Sequence, residues 1–189
     1  MTFPIHRPTR KKTRISTPST CRASHFLKLL SRNVASGGLL FDSSALIKRY
    51  AKEIGTAWVI SFFRSVSANR LYISRITAVE VISALTRRVN AKTLGPVAGP
   101  KAVWRFHRAF NGKFLKAEIT AMLIERATLL AEKYGLRGYD AVQLAAALTA
   151  NDARIDLGAR ALTLISADDA LNAAASSEGL TVDNPNLHP

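Results

Sequence analysis

The chain has one cysteine in 189 residues, Cys21. No intrachain disulfide is possible, and a reducing compartment is the natural setting. No apolar run approaches the roughly 18–20 residues that span a bilayer. The N-terminus lacks a signal-peptide layout, because its one modest apolar stretch, Phe26-Leu-Lys-Leu-Leu30, is short and interrupted by a lysine. The expectation is a cytoplasmic protein with no membrane association. No His/Cys pair has zinc-ligand spacing, no glycine-rich phosphate loop is present, and no motif supports a Ser/His/Asp triad. There is no internal repeat.

Acidic residues are scarce as well, 13 against 27 Lys/Arg, for a formal net charge of +14. Residues 1–37 hold eight of the basic residues and no acid, leaving 19 basic against 13 acidic in the remainder. The tail exaggerates a moderately basic domain, which still suits a polyanionic partner. Its Arg, Ser, Thr and Pro content fits a disordered basic extension, a transit peptide or a start codon placed too early (the true one near Val34 or Leu39). Hydrophobic content of 48% and charged content of 21% are values of a globular domain with a real core.

From residue 38 onward strands and helices alternate. Strands are predicted at 38–41, 71–74, 114–119, 161–165 and 180–182. Helices are predicted at 43–50, 54–66, 76–91, 101–111, 120–134 (stopped by Gly135), 139–150 and 167–178, with a breaker at 95–100 and a polar loop at 151–160. This order indicates an α/β domain with a mainly parallel sheet.

Four of the acids interrupt or immediately follow apolar segments: Asp42, Glu80, Asp140 and Asp168. Each has a plain structural explanation. Asp42 suits a helix N-cap, Asp140 and Asp168 (and its neighbour Asp169) suit a first helical turn, and Glu80 suits a solvated helix face. Topology gives them a shared one. In a parallel sheet the carboxyl ends of the strands lie along one edge, where the following helices begin. Asp42 and Asp168 follow strands, and Glu80 lies about one turn into a helix that follows another. Carboxylates gathered there repel and take up protons unless they hold a cation, and an all-oxygen site selects Mg2+ or Mn2+. Such a cation serves phosphodiester hydrolysis, with Ser44 and Ser166 as candidate residues orienting water or phosphate beside it and Ser43 as a helix-start serine.

Four segments carry a family resemblance: Leu40-Phe-Asp-Ser-Ser-Ala-Leu-Ile-Lys-Arg-Tyr50, Ser74-Arg-Ile-Thr-Ala-Val-Glu-Val81, Tyr134-Gly-Leu-Arg-Gly-Tyr-Asp-Ala-Val-Gln-Leu-Ala-Ala146 and Leu164-Ile-Ser-Ala-Asp-Asp-Ala-Leu171. In this order, over residues 38–185, the chain resembles the PIN-domain nucleases, most closely the toxin subunits of VapBC-type toxin–antitoxin pairs. The resemblance implies a three-layer α/β/α fold and an Mg2+-dependent endoribonuclease whose metal ligands and catalytic residues are Asp42, Glu80, Asp140 and Asp168. It also implies an RNA substrate, a cognate antitoxin and a homodimer. Residues 1–37 fall outside it.

Lys101, Arg105 and Arg108, spaced i, i+4, i+7, form a basic stripe that fits either an RNA groove or an ordinary solvated helix face. His107 falls in the apolar stripe of that helix and is expected in the core. Two rival readings are a catalytically silent PIN-like binding module and a phosphatase of the haloacid dehalogenase type. The second needs an acid two residues after Asp42, where Ser44 stands.

Overall fold

The computed structural model describes residues 36–64 and 69–189. The N-terminal extension up to residue 35 and the expected helix end near residue 66 lie outside the described residues. Among those described, five strands form one sheet: β1 (Gly38–Phe41), β2 (Arg70–Ser74), β3 (Leu115–Ala117), β4 (Leu162–Ile165) and β5 (Thr181–Asp183). Their spatial order is β3-β2-β1-β4-β5, and all four pairings are parallel. Seven α-helices connect them: α1 (Ser43–Leu46), α2 (Thr56–Arg64), α3 (Ile76–Asn90), α4 (Ala98–Gly112), α5 (Ala121–Tyr134), α6 (Gly138–Asp156) and α7 (Asp169–Ser177).

Strand alternation divides the core into two. Leu40, Tyr72, Leu162 and Leu164 point to one face and pack under α5, α6 and α7. Phe41, Leu71, Ile73 and Ile165 point to the other and pack under α2, α3 and α4. This is the expected three-layer α/β/α sandwich, with a wholly parallel sheet. The alanines of α6 (Ala141, Ala145, Ala146, Ala147 and Ala150) are buried and leave little bulk between that helix and the sheet. None of the described helices is long and apolar enough to cross a membrane.

Four expectations need correction. The segment 151–160 is not a loop throughout, since α6 continues to Asp156 and the chain turns at Gly158, where φ is +69°. The polar residues Asn151, Asp152 and Asp156 carry only modest helix penalties, and Arg154 is drawn inward. Its guanidinium is buried, donating to the Arg160 and Ser36 carbonyls (2.9 and 2.6 Å) and to the Tyr72 hydroxyl (3.0 Å). Helix α4 starts at Ala98 rather than 101, because Pro100 is tolerated in a first turn. His107 is exposed rather than in the core. The buried stripe of α4 is Ala102, Phe106 and Ala109, so the helix is rotated relative to the expected face. His107, Val103 and Trp104 instead line an apolar groove of ≈ 420 Å³ against Val89 of α3. The segment 43–50 divides into one α-helical turn and a 3-10 turn, Ile47–Arg49.

Arg154 ties α6 to the start of β1 and to β2, so Arg154→Ala should lower unfolding free energy by about 3 kcal/mol. Arg126→Ala, which breaks an exposed pair with Asp152 and a long, exposed hydrogen bond to the Thr149 hydroxyl (3.4 Å), should change it by less than about 1 kcal/mol. Urea denaturation of the two variants checks the contrast.

Candidate active site

The four acids are brought to the carboxyl edge of the sheet by the elements that precede them. Phe41 pairs with Ile165 in the β1–β4 register, and the Asp42 N–H donates to the Ile165 carbonyl at 3.1 Å. Asp42 and Ser166 therefore leave adjacent strands at the same level. Glu80 is the fifth residue of α3, after β2, and Asp140 the third of α6. Asp168 is the N-cap of α7, after β4, where its Oδ1 accepts from the Leu171 N–H at 2.9 Å.

Asp42 is the deepest of them, with 2% of its surface exposed. Its Oδ1 accepts from the Ala45 N–H (2.9 Å) and the Ser44 hydroxyl (2.8 Å), capping α1. The Ser44 oxygen in turn accepts from the Ala167 N–H at 2.8 Å. Ser166, fully buried, also reaches Asp42, and its oxygen accepts from the Asp168 N–H at 3.1 Å. The two serines singled out in the sequence thus connect α1 to the β4–α7 turn through one carboxylate. These bonds do not offset burial, which pushes the Asp42 carboxyl up to about 7.

Burial also raises Glu80, opposed by hydrogen bonds from Gln143 and Ser43, with the Asp140 charge raising it further. Asp140 is raised by burial and then by the charge of Asp168, against the lowering effect of Arg137. Asp169 is exposed and accepts from the Asn184 amide at 3.2 Å, so Asp168 is the member of that pair that acts on Asp140. The acids form a sequence of neighbours, Glu80 to Asp140 to Asp168, with Asp42 joined through serines. Among the described residues no three acidic, histidine or cysteine side chains form a compact metal-binding group. The donor chemistry nonetheless fits a hard cation: carboxylate and hydroxyl oxygens, with no histidine or cysteine among them. Raised carboxyls are groups poised to exchange a proton for a metal.

Sequence reading missed Gln143. It is buried, exchanges hydrogen bonds with Thr77 and donates to Glu80 Oε2 at 2.6 Å, locking α3 to α6. Its signal was a lone amide in an alanine-rich helix, since a buried amide requires a partner. Ser43 was read as a helix-start serine, and its bond to Glu80 gives it a second role. The basic stripe of Lys101, Arg105 and Arg108 is exposed on α4, which packs on α3. A cleft of ≈ 300 Å³ opens beside Glu80, lined also by Ser43, Ser44, Arg87 and Tyr139.

An all-parallel α/β/α sandwich with acids along one strand edge defines the class, and comparison with known proteins agrees. The PIN-domain profile matches residues 39–176. The chain belongs to the PIN-domain family. Its fold is shared with a protein from Pyrobaculum aerophilum (16% identity, TM-score 0.55, covering 82% of this chain and 89% of that one). It is shared also with a chain of VapBC2 from Rickettsia felis, solved with a promoter DNA fragment (12% identity, TM-score 0.52, covering 78% and 98%). A chain of FitAcB from Neisseria gonorrhoeae is similar (18% identity, TM-score 0.50, covering 78% and 97%). No curated protein matches the chain.

The raised Asp42 carboxyl has a consequence for stability. Between pH 4 and 7 the metal-free folded state keeps a proton that the unfolded chain has released, so stability falls as pH rises through that window. Above it the whole cost stands, on the order of 4 kcal/mol for a shift of this size. Asp42→Asn should match wild type near pH 4 and be the more stable protein in EDTA at pH 8, as read by thermal denaturation.

Proposed function

We propose that the chain is an Mg2+-dependent endoribonuclease, the toxin component of a toxin–antitoxin pair, with Mn2+ able to replace Mg2+. The observation that carries the reading is Asp42: a carboxylate buried at a strand end and, among the described residues, bonded by serines and backbone and neutralised by no basic side chain. Burying such a group is costly, and holding a cation is the use that repays the cost. Asp42, Glu80, Asp140 and Asp168 would hold it. When bound, the cation polarises the phosphate and makes water a competent nucleophile near neutral pH.

The chain's own residues then have separable tasks. Gln143 and Ser43 orient the Glu80 carboxylate, and Ser44 and Ser166 hold Asp42. Asp140 and Asp168, less buried than Asp42, are the ligands that would stay accessible to substrate. The exposed Lys101, Arg105 and Arg108 offer phosphate contacts for RNA farther out on α4. A cognate antitoxin and a homodimer are part of the proposal, supported by the four ordered segments and by the fold shared with a chain solved within VapBC2. A catalytically silent PIN-like binding module is the second reading, favoured by the lack of a compact metal-binding group among the described residues.

Purified protein should cleave RNA with Mg2+ or Mn2+ and stop in EDTA. Asp42→Ala and Asp140→Ala should each lose at least about 100-fold in rate. Cleavage undiminished in both variants would remove the proposed site, and no cleavage by wild type would favour the binding module. In cells, expression should arrest growth and a small adjacent gene should relieve the arrest.

A further inference from the structure

The cleft beside Glu80 has a composition that the metal site does not require. Helix α3 presents Glu80, Ser83 and Arg87 at i, i+3 and i+7, and all three line this cleft. The stripe therefore runs from the carboxylate to a guanidinium about 10 Å along the helix axis. The adjacent Arg88 is ion-paired with Glu53, whereas Arg87 is exposed and has no carboxylate partner among the described residues. Opposite in character is Tyr139, next in sequence to Asp140, which lines the same cleft with 54% of its surface exposed. Single exposed aromatics are common on protein surfaces; what distinguishes Tyr139 is its place, in the wall of the same cleft as Glu80 and Arg87.

The space between them, ≈ 300 Å³, is enough for a single nucleotide. An unpaired guanidinium, an exposed aromatic ring and the Ser43 and Ser83 hydroxyls are the groups that recognise single-stranded RNA: charge for phosphate, a face for a base, hydroxyls for sugar. We propose that this cleft is the binding subsite for a nucleotide next to the bond that is cut, with Tyr139 stacking on its base and Arg87 holding its phosphate. The inference rests on the ribonuclease reading and adds to it a place where the flanking sequence is sensed. Because stacking is tolerant of base identity, the subsite confers a demand for an unpaired nucleotide more than for one letter.

The test uses a short labelled single-stranded RNA of mixed sequence. Binding is measured by anisotropy in EDTA across a KCl series, and cleavage is measured with Mn2+. Arg87→Gln should weaken binding roughly tenfold and reduce the slope of log K against log salt by about 0.7. Tyr139→Leu should weaken binding by a similar factor, roughly tenfold, with the slope unchanged, and Tyr139→Phe should restore it. In cleavage both losses should enter KM more than kcat. Both side chains are exposed, and thermal denaturation checks that the variants fold. If wild type cleaves and the variants keep its affinity and salt slope, the subsite is wrong and the nuclease stands. If wild type neither binds nor cleaves this RNA, the ribonuclease reading falls and takes the subsite with it.

Discussion

The burial of Asp42 is the constraint around which the rest is arranged. Its carboxyl sits at the end of the central strand, between β2 and β4 in the sheet, with hydrophobic layers on both sides. Among the described residues, its hydrogen-bond partners are all serine hydroxyls or backbone N–H groups. A protein seeking stability alone would place an apolar residue or an ion pair there. Retaining a carboxyl that burial pushes up to about 7 lowers stability, and the proposed function gives that loss a use: the group would release its proton to a bound cation.

The surrounding structure holds this arrangement from two sides. On one, the Ala167 N–H, Ser44 and Asp42 form a hydrogen-bonded relay that fixes the β4–α7 turn against α1. On the other, Gln143 holds Glu80 and Thr77 together, so that α3 and α6, which flank opposite faces of the sheet, meet at the same edge. Glu80 and Asp140 are thereby delivered by elements whose packing is decided far from the chemistry, by Leu85 and Phe106 on one face and by the alanines of α6 on the other.

Much of this was readable in the sequence, for a physical reason. Asp42 and Asp168 each break an apolar run at its end, which in a parallel α/β chain is a statement about position as well as polarity. The strand order and the wholly parallel pairing could not be read, since they depend on contacts between distant segments. Gln143 went unrecognised because its partners lie 63 and 66 residues away. The length of α6 was underestimated because Asn151 to Asp156 reads as solvent-facing, while Arg154 is satisfied by carbonyls that only the folded chain supplies. His107 illustrates a different limit. On α4 the apolar positions support two faces a short rotation apart, and contact with α3 selects the one built on Phe106.

The central claim is that these carboxylates exchange protons for a divalent cation, and calorimetry of Mn2+ binding near pH 7 in buffers of different ionisation enthalpy tests it most directly. With the Asp42 carboxyl up at about 7, binding should release roughly half a proton or more at that pH, falling off toward pH 8.5, and Asp42→Asn should remove most of that release. Binding without proton release, or release undiminished in Asp42→Asn, would contradict the account.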